Sequence, residues 1–331
     1  MNRTARFALA AALCAAGAGH AAAPYPQREE VRQFITEMVE RHGFVRHELK
    51  TLFARTRFQP AIVKAITPPA EAHAKSWHAY RALFLTRDRV EAGIEFREQH
   101  SDALARATAR YGVPAEIIVA IIGVETVYGR NTGNYRVIDA LATLAFDYPP
   151  RAAYFRAELE NFLLFARDAD IDVLRLKGSY AGAIGIPQFM PGSYRRYAVD
   201  HDGDGRQDLS GSFADAIGSV ANFLKEHGWE AGKPAAFAAR VDGQNYRKLI
   251  DAGIKPTYRH ADLAAFGVSS SGATDADAPC ALIELETPGE ASEYLVGLTN
   301  FYVITRYNRS SFYASAVLDL AQAVKATEQP R

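Results

Sequence analysis

Cysteine is nearly absent from this chain of 331 residues: Cys14 and Cys280 are the two. A disulfide framework and a cysteine-rich zinc site are therefore excluded, and Cys280 reads as a small, partly buried apolar residue, not a catalytic thiol. Charge of one sign is lacking too. Lys and Arg number 38 against 38 Asp and Glu, which leaves no basic footprint for nucleic acid. Past the N-terminus no apolar run reaches the roughly 18 to 20 residues that cross a bilayer, so no membrane span is expected in the mature chain. Internal repeats are missing, and low complexity is confined to the first residues and to a polar linker from Ser269 to Asp277.

What is present begins with a leader. Arg3 and Arg6 precede an apolar run from Phe7 to Ala18, and small residues end it at Ala21, Ala22 and Ala23. This is the layout of a secretory signal peptide over residues 1–23. Its removal takes away two arginines and no acid, so an exported, mildly acidic, periplasmic protein is expected. Cys14 follows Leu13, where a lipid-attachment signal wants a small side chain. An outer-membrane lipoprotein is the lesser expectation.

Apolar residues at spacings of three and four then predict helices over much of the chain. Val31, Phe34, Ile35, Met38 and Val39 carry the pattern between Arg28 and about Phe53, with breaks at Pro60 and at Pro68-Pro69. A longer helical stretch is expected from Trp77 to Tyr111, and a helix from Ala152 to Arg167. Another is expected from Phe213 to His227, and a short one from Pro187 through Met190. Between Lys233 and about Thr287 glycine, serine and proline rise and short apolar runs such as Ala281 to Leu285 appear, which predicts a small inserted subdomain with strands. Aromatic segments and a final helix return from Tyr294 to Gln322. The expected fold class is mainly α, in the α+β sense.

The stretch from Ile117 to Leu141 holds the clearest candidate for chemistry. Pro114 suits a helix start and Gly129 a stop, predicting a helix from about Pro114 to Tyr128 with one acid near its C-terminal end, Glu125. Ile122, Ile121 and Ile118 lie three, four and seven residues before it, on the same side. Desolvation by that ridge and the negative end of the helix dipole both disfavour the carboxylate and raise its pKa. A carboxylic acid that stays protonated near neutral pH can donate to a leaving oxygen. The alternative is a structural acid satisfied by an arginine.

Two loops add to this. Gly178 to Pro191 carries Gly178, Gly182 and Gly185, which let backbone approach a ligand, and Ser179 and Gln188, neutral groups suited to sugar hydroxyls and acetamides. Asp200 to Asp208 places carboxylates at loop positions 1, 3, 5 and 9, with Gly205 at position 6 and the Arg206 carbonyl at position 7, the spacing of an EF-hand calcium loop. Position 12 is Gly211, so the usual closing glutamate is missing. His201 falls at an even, non-ligating position.

The ordered blocks Val-Glu-Thr-x-Tyr-Gly-Arg, Asp-Ala-Leu-Ala-Thr-Leu, Phe-x-Tyr-Pro, Gly-Ser-x-Ala-Gly-Ala-x-Gly-x-x-Gln-Phe-Met-Pro and Asn-Phe-Tyr-Val-Ile-Thr-Arg-Tyr-Asn resemble the family B lytic murein transglycosylases, over most of the mature chain. The resemblance implies a lysozyme-like catalytic core within a larger helical body. The corresponding parts are an N-terminal helical part (24–100), the core (101–230), the inserted subdomain (233–287) and a C-terminal aromatic segment with a helix (288–331). It implies cleavage of the MurNAc-GlcNAc β-1,4 bond of peptidoglycan glycan strands without water, leaving 1,6-anhydroMurNAc ends. Glu125 would act first as acid and then as base, with the sugar's own C6 hydroxyl as nucleophile. That accounts for the lack of a convincing second carboxylate. Asp139 and Asp147 are the nearest candidates, and each sits where a helix cap or turn residue belongs.

By the same resemblance Ser179, Gln188 and Arg151 contact substrate, and Tyr80, Tyr154, Phe189, Tyr307 and Tyr313 are groove aromatics. Phe223 stands where a tyrosine can occur, and Pro150 where members can carry another arginine. Asp215 would close the calcium loop, so the implied ligands are Asp200, Asp202, Asp204, Arg206 and Asp215. Structural Ca2+ and no organic cofactor are expected. The chain is expected to be a monomer, with cell-wall synthesis or division proteins as candidate partners. A hydrolytic muramidase and a non-catalytic peptidoglycan-binding protein are the rival readings.

Overall fold

The computed structural model describes residues 23–67, 76–272 and 274–326. The expected signal peptide and Pro68-Pro69 lie outside the described residues. The chain divides into two compact units, residues 1–56 and 57–331.

In the first unit a single 3-10 turn at Tyr25–Gln27 leads into α1 (Glu29–His42) and α2 (Arg46–Arg55). The helical pattern is interrupted between them by Gly43, which ends α1 at φ 70°, a left-handed conformation that glycine adopts without a Cβ penalty. Phe34 and Phe53 meet edge to face at 5.9 Å, so the apolar sides of the two helices share one core.

The second unit opens with α3 (Pro60–Ile66), α4 (Trp77–Ala82), α5 (Arg87–Gln99), α6 (Ser101–Tyr111) and α7 (Ala115–Thr126). The expected single stretch from Trp77 to Tyr111 is thus three helices. Thr86 starts α5 as an N-cap, its hydroxyl accepting from the Arg89 N–H, and that competes with continuous helix. α7 is the hub of the helical body. Its side chains from Ile117 to Ile122 are buried on every face, and it packs against α5, α6, α11 and α14. A helix apolar all round must be wrapped by others.

Beyond it come β1 (Tyr135–Arg136), α8 (Val137–Asp147), α9 (Ala152–Asp168), β2 (Lys177–Gly178), α10 (Pro191–Tyr197) and α11 (Phe213–Glu226). β1 and β2 pair antiparallel, Tyr135 opposite Gly178. Pro187 does not start a helix: Gln188 has φ 53°, Ile184 and Phe189 exchange backbone hydrogen bonds in a tight ribbon, and α10 begins at Pro191. Asp139 is no cap either. It is the third residue of α8, buried, and holds the Arg136 guanidinium at 2.8 Å and the Arg57 N–H at 2.8 Å, a structural ion pair.

The remaining elements are β3 (Ala236–Val241), α12 (Arg247–Asp251), β4 (Tyr258–Arg259), β5 (Val268–Ser270), β6 (Pro279–Leu285), β7 (Glu293–Leu298), α13 (Thr299–Tyr307) and α14 (Ser311–Lys325). The five strands form one antiparallel sheet in the order β4-β6-β7-β3-β5. Leu249, Leu263, Cys280, Leu282 and Val296 fill its own small core. Cys280 is fully buried, consistent with its reading as a small hydrophobe. β7 runs directly into α13, so the sheet hands the chain back to the helical body beside α14 and α11.

Candidate active site and cation loop

Glu125 is the next-to-last residue of α7, and the way that helix stops fixes its carboxylate. Val127 and Tyr128 both take left-handed backbone, φ 51° and 59°, so the helix ends two residues short of the expected Tyr128. The strain is held by packing. The Tyr128 phenol lies in a slot between Gly93 and Gly123, where a Cβ on either glycine would collide with it, and its hydroxyl donates to the Arg89 carbonyl at 3.0 Å. Thr126 is fully buried. Its hydroxyl donates to the Ile186 carbonyl at 2.8 Å and accepts the Gly129 N–H at 2.9 Å, tying the end of α7 to the 178–190 loop.

The carboxyl of Glu125 is half-buried and receives one side-chain hydrogen bond, from the Tyr313 hydroxyl to Oε1 at 2.6 Å. Burial pushes its pKa up to about 7, while the Tyr313 bond pulls it the other way. Among the described residues no other carboxylate acts on it. Burial, and then the charge of Glu125, raise Tyr307 and Tyr313 well above the ordinary phenol range, so both remain neutral donors.

The other expected residues fall around this carboxyl in different roles. The rings of Tyr307 and Tyr313 lie nearly parallel, centroids 6.4 Å apart, and the Tyr307 hydroxyl donates to the Pro187 carbonyl at 2.6 Å. Tyr80 is half-buried, packs on Phe84 and Phe312, and has its pKa raised by burial and by the charge of Glu125. Phe189 and Phe223 are not exposed groove surface: at 2% and 5% exposure they form a buried wedge behind Tyr307, at 5.8 and 4.8 Å from its ring. A phenylalanine at position 223 suits that packed site, since a hydroxyl there would need a buried partner.

Ser179 accepts the Ala183 N–H at 3.0 Å, which leaves its hydroxyl hydrogen free to donate. Gln188 spends its amide hydrogens on the carbonyls of Thr132 at 3.1 Å and Gly185 at 2.9 Å, leaving its carbonyl oxygen as an acceptor. Tyr154 is 41% exposed, and the Arg151 guanidinium lies 4.7 Å from its ring centroid. α9 and the turn before it carry this pair, α7 carries Glu125, and α13 and α14 carry the two tyrosines.

The cation loop is a separate constellation. Asp200, Asp202 and Asp204 each offer an oxygen within 4.8 Å of the others, and Gly203 and Gly205 adopt φ 83° and 88° to bend the loop between them. Clustered hard oxygen donors of this kind fit calcium. Asp215, expected as a ligand, is not in that trio. It is buried beneath the loop, where its two oxygens accept the N–H groups of His201 at 2.7 Å and Asp208 at 2.8 Å, bracing the loop's ends. Asp208 itself accepts from Ser210 and Gly211. Ser212, not anticipated, links loop to helix: it caps α11 by accepting the Asp215 N–H and donates to Asp202 Oδ2 at 2.6 Å. The Ser-x-x-Asp spacing of 212 and 215 is the signal that could have found it. For Thr126 the signal is a polar β-branched residue closing an apolar helix.

A cavity of about 930 Å³ opens between the end of α9 and the cation loop, with Phe165, Ile171 and Leu176 against Asp168, Arg195 and Arg206. It contains neither Glu125 nor any of the aromatics above and is not the catalytic cleft.

A family model described as the transglycosylase SLT domain matches residues 26–322. The membrane-bound lytic murein transglycosylase B of Escherichia coli K12 is 44% identical over 309 residues, 91% of this chain and 84% of that one. The structure of the Escherichia coli lytic transglycosylase Slt35 in complex with calcium superposes with a TM-score of 0.80 at 44% identity, covering 92% of this chain and 93% of that one. SltB3 of Pseudomonas aeruginosa, in complex with NAG-anhNAM-pentapeptide, gives a TM-score of 0.77 at 33% identity, covering 90% and 79%.

Proposed function

Since the chain belongs to the SLT-domain transglycosylases of the family B type, we propose that it is a lytic murein transglycosylase in which Glu125 alone supplies acid and base. The observation that carries this reading is a half-buried carboxyl poised near neutrality, bonded to one phenol and, among the described residues, with no carboxylate partner acting on it. A two-carboxylate glycosidase needs a second acid to serve as nucleophile or to activate water. Glu125 protonates the oxygen linking MurNAc C1 to the GlcNAc C4, and that C1–O bond breaks. The C6 hydroxyl oxygen of the same MurNAc then closes on C1 and gives its proton to Glu125, restoring the acid. The attack is intramolecular and gains from proximity. The Ser179 hydroxyl and the Gln188 carbonyl fit a sugar hydroxyl and an acetamide N–H beside the reacting bond, and Tyr80, Tyr307 and Tyr154 offer ring faces.

Calcium is the cation that suits the loop, with Asp200, Asp202, Asp204 and the Arg206 carbonyl as its ligands. When bound it would offset two of the three negative charges of these carboxylates and hold the loop against α11. The leader sequence and the membrane-bound relative support export, with the protein working in the periplasm. Among the described residues no single helix is long and apolar enough to cross a membrane. Digesting purified murein with the protein and identifying the new ends by mass spectrometry tests the proposal: anhydro ends are expected, and reducing MurNAc ends would convert the assignment to a hydrolytic muramidase.

A further inference from the structure

Tyr194 is buried on α10, and its hydroxyl is bonded in both directions. It donates to the Gln207 carbonyl and accepts the Leu209 N–H at 3.1 Å, so one phenol oxygen holds the chain as it leaves the cation loop. Packing fixes the phenol in turn, its ring centroid 4.1 Å from that of Phe165 on α9. Leu209 is itself buried, and its carbonyl accepts the Ile186 N–H of the glycine-rich loop at 2.8 Å. The two backbones approach closely there: a Cβ on Gly185 would lie 2.4 Å from the Leu209 oxygen.

Ile186 is bonded on its other side as well. Its carbonyl accepts the Thr126 hydroxyl at 2.8 Å, and Thr126 is the residue after Glu125. Hydrogen bonds thus run from the Tyr194 phenol to Leu209, from Leu209 to Ile186 and from Ile186 to Thr126, all on buried residues. A buried polar group that loses its partner is costly, so a chain of this kind favours a single arrangement. It ends beside the left-handed residues Val127 and Tyr128, and it passes two residues from Gln188, at φ 53°. Backbone in these conformations persists only where its surroundings enforce it.

We propose that Tyr194 is a positioning residue for the reaction: acting through Leu209, Ile186 and Thr126, its hydroxyl holds the last turn of α7 so that the Glu125 carboxyl stays seated in its half-buried site. The inference rests on Glu125 being the acid of the function proposed above.

Tyr194→Phe deletes the hydroxyl and keeps the ring on Phe165, and Thr126→Val deletes the hydroxyl at the other end of the chain. Murein clearing is measured for the wild type, both single variants and their combination, each well below its own melting temperature, and the new ends are identified. A displaced acid corresponds to about a tenfold fall in kcat for each single variant. Because both act on one chain of bonds, the combination is also expected to fall about tenfold, where independent effects would multiply to about a hundredfold. The alkaline limb of the pH profile is expected to move to lower pH in each, since a loosened carboxyl gains water and burial is what holds its pKa up. A role in folding alone lowers the melting temperature and leaves that limb in place. An unchanged kcat in Tyr194→Phe, a multiplicative fall in the combination, or a stationary limb overturns the proposal. Should Tyr194→Phe not fold, Thr126→Val decides by its own kcat and limb. Reducing ends from the wild type overturn the lytic reading while the same rates still judge Tyr194, so the two failures are told apart.

Discussion

Tyr313 donates its phenolic hydrogen to Glu125 Oε1 at 2.6 Å, across 188 positions of sequence. One oxygen of the carboxyl is thereby fixed as an acceptor, which leaves Oε2 as the oxygen that carries the acid proton. The bond stabilises the charged form, so it also sets how late in pH the acid survives. Removing it in Tyr313→Phe is expected to lower kcat about tenfold, because the carboxyl loses its orientation. The alkaline limb of the pH profile should move upward, since the group that held the pKa down is gone. A profile that shifts to lower pH, or not at all, would contradict the assignment.

The raised pKa of Glu125 has a stability consequence whose sign can be worked out. Its folded pKa, about 7, lies above the ordinary value of 4.5. Below pH 4.5 the group is protonated in both states and adds no penalty. As pH rises toward 7 the unfolded chain ionises first, so the native state loses stability through that window and stays lower above it. Glu125→Gln removes the penalty. Thermal melts should show the variant and wild type matching near pH 4, with the variant ahead by on the order of 2 kcal/mol near pH 8. Lytic activity should fall by about a hundredfold to ten-thousandfold, the usual contribution of a general acid–base group.

Glu125, the glycine-rich loop and the acidic loop were visible in the chain because each rests on local spacing. An isolated acid in an apolar helix, glycines around Ser179 and aspartates at alternate positions are patterns a dozen residues can carry. Tyr313 could be named as an aromatic, but its bond to Glu125 depends on α14 crossing α7, which no local pattern encodes. That Phe189 and Phe223 pack behind Tyr307 is hidden for the same reason: a phenylalanine reads alike whether it meets sugar or another ring. Asp215 is harder to read from sequence, because a carboxylate that binds metal and one that accepts two backbone N–H groups, as Asp215 does here, look identical there.

Gly123→Ala should be costly even though alanine is the better helix former. Its methyl would collide with the Tyr128 phenol, which cannot retreat because Gly93 closes the slot from the other side. The expected destabilisation is about 1 to 3 kcal/mol by chemical denaturation. Activity should fall as well, because Tyr128 holds the left-handed turn that ends α7 next to Glu125. A variant as stable and active as the wild type would show that the slot does not fix the helix end.

Asp204 and Asp215 should respond differently to calcium, and the difference separates a ligand from a brace. Calcium binding to the folded loop alone raises stability by mass action, so the wild type should melt several degrees higher with millimolar calcium than with chelator. Asp204 is exposed and its carboxylate belongs to the clustered trio. Asp204→Asn is therefore expected to abolish most of the calcium-dependent gain and to melt like the wild type in chelator. Asp215 is buried and accepts two backbone N–H groups, bonds needed whether or not the ion is there. Asp215→Ala should lower the melting temperature in chelator as well, by an amount equivalent to about 2 to 4 kcal/mol, because it strands two buried donors. If Asp215→Ala matched the wild type in chelator and lost only the calcium response, Asp215 would be a ligand after all and the brace would be refuted.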